Sequence, residues 1–63
     1  MTDKELLYVE DAIGHEENII AICEDEISNF KDKALVNFLK KEVKKHTLMK
    51  EKLINMLEVK SNE

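Results

Sequence analysis

Ser28-Asn29-Phe30-Lys31-Asp32 is the stretch on which the fold turns, because it separates two long helical patterns. Serine, asparagine and aspartate carry short polar side chains that bond to nearby backbone, so they favour turns and caps over helix interiors. Asp32 is placed to cap the N-terminus of whatever follows it. The chain contains no proline, and its single glycine, Gly14, lies well away from this break. The pattern therefore predicts one short turn at residues 29–32, and so short a connection makes the flanking helices antiparallel neighbours.

Upstream of the turn, Thr2-Asp3-Lys4-Glu5 has the form of a capping box, with Thr2 as N-cap and Glu5 reaching back. Leu6, Val9, Ile13, Glu16, Ile20, Cys23, Ile27 and Phe30 then follow in steps that alternate between three and four. That is the spacing of a helix seam, apolar throughout except at Glu16. Downstream, Leu35, Leu39, Glu42, His46, Met49, Leu53 and Met56 alternate in the same way. Period-two alternation is absent, so no strand is expected. The reading is all-α, a single domain over residues 1–63 with helices over about 3–28 and 33–59. Lys60-Ser61-Asn62-Glu63 carries no apolar residue and is expected to fray.

Both stripes are wider than a hairpin can use. Tyr8, Ala12, Ile19 and Ile22 broaden the first, opposite a polar back of Lys4, Asp11, Asn18 and Asp25. Val36, Val43, Ile54 and Leu57 broaden the second, with Phe38 and Leu48 beside them. A hairpin buries one seam per helix and would leave the rest in water, which soluble monomers avoid. A chain of 63 residues is also too short to be stabilised comfortably by its own core, and small chains lean on disulfides, metals or partners. Cys23 is the only cysteine, which removes the disulfide. The expected partner is a second copy, giving a homodimer or higher homo-oligomer built as a four-helix bundle.

Charge divides along the same line. Residues 1–30 hold nine acidic residues against Lys4 alone, a net of −8, and residues 31–63 hold nine lysines against five acids, a net of +4. Opposite halves favour lying side by side. The overall charge of −4 argues against a nucleic-acid partner. Lys40, Lys41, Lys44 and Lys45 fall on several faces of one helix and read as a solvated surface, with Glu17 and Glu24 available to pair with some of them. A lone thiol suits a reducing cytoplasm, and no apolar run approaches the roughly 18 residues of a membrane span. Neither a glycine-rich phosphate loop nor a Ser/His/Asp or paired-cysteine motif is present. Cys23 reads as a small core residue opposite Leu39, Met49 and Met56 as ordinary core residues, and His15 as a rim residue beside Glu16.

Three residues break the apolar rule on the seams: Glu16, Glu42 and His46. Folding the hairpin about residue 31 brings position 16 opposite position 46, with Glu42 one turn nearer the loop on the same face as His46. A two-fold dimer would double this set to four carboxylates and two imidazoles. The inventory resembles the ferritin-like di-iron carboxylate proteins, in which a Glu on one helix and a Glu-x-x-His on its partner are repeated around a bundle. Half-length members build that site from two hairpins, and small ferritin-like spore-coat proteins are similar in size and helix pattern. In this chain the motif is Glu42-Val43-Lys44-Lys45-His46, one residue longer, which rotates His46 by about 100° relative to the family's position. The resemblance implies iron, or zinc or manganese, held by Glu16, Glu42 and His46, with ferroxidase-like oxidation as the activity if the protein is an enzyme. The bland alternative is a non-catalytic assembly protein in which the same residues form a polar layer that sets register. A third is an adaptor whose broad stripe receives another protein's amphipathic helix.

Overall fold

The computed structural model describes residues 1–61, with side chains through residue 59. Two helices, α1 (Asp3–Asn29) and α2 (Lys33–Ser61), pack against each other along their length. The molecule measures 47 × 15 × 11 Å. Its smallest dimension is the width of one helix, about 10–12 Å, so the hairpin is a single layer.

Local chemistry sets the helix ends. The Thr2 hydroxyl accepts from the Glu5 backbone N–H at 3.1 Å, and the Glu5 carboxylate accepts from the Thr2 N–H at 2.8 Å. This reciprocal pair is the expected capping box. At the other end of α1 the Ser28 hydroxyl donates to the Asp25 carbonyl at 2.7 Å, and Phe30 turns to extended backbone at φ −107°, ψ 142°. Two residues later Asp32 Oδ1 accepts from the N–H groups of Ala34 at 2.9 Å and Leu35 at 3.2 Å. Asp32 is thus the N-cap of α2. The cap matters here because no acidic residue lies in the first turn of α2 to answer its dipole. The helix continues to Ser61, two residues past the expected limit. Of the expected frayed tail, Lys60 and Ser61 are helical, while Asn62 and Glu63 lie outside the described residues.

The seam of α1 lies where its spacing puts it: Val9, Ile13, Ile20, Cys23 and Ile27 are half-buried around Glu16. Its two ends are open, with Leu6 37 % and Phe30 43 % exposed. On α2 the inner face has rotated from the expected phase. Val36, Leu39, Val43, His46, Lys50, Leu53 and Leu57 are half-buried, and they too alternate between three and four. Met49 and Met56, expected in the core, are 40 % and 46 % exposed, and Leu35 is open as well. The cause is the wide stripe. Both phases share Leu39, His46 and Leu53, and the helix turns toward α1 the phase whose Val36, Val43 and Leu57 pack at the contact. Among the described residues no apolar side chain is fully buried, and no helix is long and apolar enough to cross a membrane.

Asp32→Ala should lower stability by about 1 kcal/mol through loss of the cap. Gly14→Ala should raise it by about the same amount, since helix-interior glycine is the poorer former and an added methyl there meets no atom within 4 Å. Urea unfolding followed by circular dichroism checks both signs.

Candidate functional site

Halfway along the hairpin the two seams stop being apolar at the same height. α1 presents Glu16 between Ile13 and Ile20, and α2 presents Glu42 and His46 one helical turn apart. Positions 16 and 46 meet across the hairpin, the register implied by folding about residue 31. His46 Nδ1 donates to Glu16 Oε2. The other ring nitrogen, Nε2, lies 3.3 Å from Glu42 Oε2. All three predicted residues are therefore in one cluster.

Burial grades across the cluster. Glu16 is the only fully buried residue among those described, at 7 % exposure. The His46 side chain is 15 % exposed and that of Glu42 27 %, opening the cluster toward one face of the hairpin. A carboxylate withdrawn from water must find a partner, because desolvating an unpaired charge is costly. His46 is that partner. One ring nitrogen bonds Glu16 and the other lies within ion-pair distance of Glu42, so the imidazole bridges the two carboxylates.

The imidazole lies between the carboxylates, and its two nitrogens point away from each other. An ion bound at one nitrogen would be remote from the carboxylate at the other, so within one hairpin the three donors do not converge on a point. Among the described residues no three His, Cys, Asp or Glu side chains are grouped so as to hold a metal ion. The neighbouring candidates stay apart from the cluster. His15 is exposed beside Glu16, and Cys23 is a half-buried free thiol with no disulfide. Lys40, Lys41, Lys44 and Lys45 are exposed on α2.

One seam residue escaped the reading of the sequence. Lys50 occupies an inner position of α2, its side chain 31 % exposed, with Nζ 3.2 Å from Glu17 Oε2. Glu17 thus answers Lys50 rather than the lysines nearer the turn. The signal was present in the Val36–Leu57 phase of the spacing, in which Lys50 stands where the other phase has Met49. The lysine stem covers apolar surface while its head reaches the edge.

No family model matches the chain, and no curated protein or solved structure matches it either.

His46→Ala should cost about 1–3 kcal/mol, because it leaves the Glu16 carboxylate buried without its donor. Replacing Glu16, Glu42 and His46 together by leucine should leave a folded helical protein of equal or greater stability. Equal urea midpoints for wild type and His46→Ala would show that the pair does not carry the buried charge.

Proposed function

We propose that this hairpin is a non-catalytic assembly module that pairs with a second copy of itself into a four-helix bundle, with Glu16, His46 and Glu42 as the polar layer that fixes register. The observation that carries the reading is the absence of any fully buried apolar side chain among the described residues, while Tyr8, Ile22, Phe38, Met49 and Met56 stand 40–61 % exposed. A layer one helix thick cannot bury both sides of its stripes, and a second layer laid on the open side covers them. The polar cluster supports a role in register. Within the hairpin, only the alignment that brings Glu16 to His46 gives the buried carboxylate its partner. The lone thiol Cys23 fits a cytoplasmic setting, where thiols stay reduced.

Equilibrium sedimentation tests the reading. Wild type should weigh as a dimer, and Phe38→Lys and Met49→Lys should each weaken association at least about tenfold, given roughly 1.5–3 kcal/mol for burying such a side chain. A wild-type monomer at all accessible concentrations would refute it.

The meeting of Glu16, Glu42 and His46 at one height also supports a second reading, a ferritin-like metal site completed by the second copy. Two carboxylates and an imidazole per chain are the donor chemistry of iron, zinc or manganese sites. An ion there requires His46 to leave one of its carboxylates. Calorimetric titration with Fe(II) and Zn(II), with melting in and out of EDTA, separates the readings. Saturable binding lost in His46→Ala, with a melt that falls under chelation, favours the metal; no uptake and an unchanged melt leave the polar layer.

A further inference from the structure

Most of the exposed large apolar side chains lie on one side of the hairpin, and the outer edge of that side on α2 is basic. Tyr8 and Met56 line one concavity together, and Met49 lines another with Lys41, Lys45 and Lys52. At about 100° per residue, Tyr8 and Ile22 on α1 and Phe38, Met49 and Met56 on α2 all lie on the same side of the hairpin. Glu42, the most open member of the polar cluster, is turned toward that side too. Beyond the apolar strip, the outer rim of α2 is the lysine row Lys41, Lys45 and Lys52. The outer rim of α1 at the same setting holds Asp11 together with His15 and Lys4, whose Nζ lies over the Tyr8 ring.

Two two-fold arrangements lay one such face on another. With the axis across the helices, α1 rests on the second copy's α1 and α2 on its α2, so the lysine row faces itself. With the axis along the helices, α1 rests on the second copy's α2. The Glu16–His46 contact sets the heights within a hairpin, since contacting positions add to 62, and an axis along the helices preserves height. Asp11 then stands level with Lys52 of the second copy, once along each edge, and the lysine rows are kept apart. The choice accords with the net −8 of residues 1–30 and the net +4 of residues 31–63, because like rows placed together repel.

Resting on the proposal that the hairpin pairs with itself, we infer that the second copy covers the Tyr8–Ile22–Phe38–Met49–Met56 face with α1 on its α2, both turns at the same end of the bundle. The two polar layers then share one level, and both Glu42 carboxylates enter the shared core.

A spin label on Lys31→Cys, in a Cys23→Ala background that keeps wild-type helicity and sedimentation, reads the arrangement by pulsed electron resonance. Turns at the same end place the labels roughly 10–25 Å apart, from helix spacings near 10 Å and the label arms. Turns at opposite ends place them about 40 Å apart, the length of a helix. A dimer with the long distance overturns the arrangement while leaving self-association intact. A monomer by sedimentation removes the pairing itself, and the arrangement with it.

Discussion

Two helices share one line of contact, and almost everything about this protein depends on that limit. A bundle of three or four helices encloses a core, whereas a pair only covers one stripe on each member. The consequence is visible in the burial pattern: the apolar seam residues are half-buried at best, and large side chains such as Tyr8 and Phe38 remain open. Apolar area removed from water is the main favourable term in folding, and the hairpin alone leaves much of it unused. The caps at Thr2 and Asp32 hold the helix ends, each at the level of about 1 kcal/mol. They define where the helices are; they do not replace a core.

Among the described residues the most buried is an acid, which inverts the usual order of a protein interior. Glu16 is tolerated because the antiparallel register delivers His46 to it, and because Glu42, one turn from His46, completes the charge arrangement. Such a layer adds little net stability compared with apolar packing of the same volume. In the proposed assembly module its value lies in specificity. A two-helix pair with wide stripes can slide or rotate at small cost, and a single charged layer penalises every alignment except the one that pairs it. Lys50 and Glu17 add a second, more exposed fastening on the other edge, worth little on its own.

How much of this was legible from residue order varies with the physics of each feature. The capping box, the Asp32 cap and the turn were readable because they depend on residues within a few positions of one another. The meeting of Glu16 with His46 was readable because a short turn between straight helices leaves one register. The phase of α2 was not. Leu35, Met49 and Met56 form as good a seam as Val36, Val43 and Leu57, and periodicity cannot choose between two apolar flanks of one stripe. Lys50 was overlooked for the same reason, since a lysine on the half-buried edge looks identical to a surface lysine until the rotation of the helix is known. The relative placement of the His46 nitrogens is a matter of side-chain geometry, which no spacing rule contains.

The resemblance to half of a ferritin-like bundle and the polar-layer reading both require the hairpin to find a second layer. That shared requirement is the central claim, and the concentration dependence of unfolding tests it most directly. If folding and association are coupled, the thermal midpoint followed by circular dichroism rises steadily as the chain is concentrated from micromolar to millimolar, by mass action. A midpoint that stays constant over that range would show that one hairpin of α1 and α2 is stable by itself, and would contradict the account.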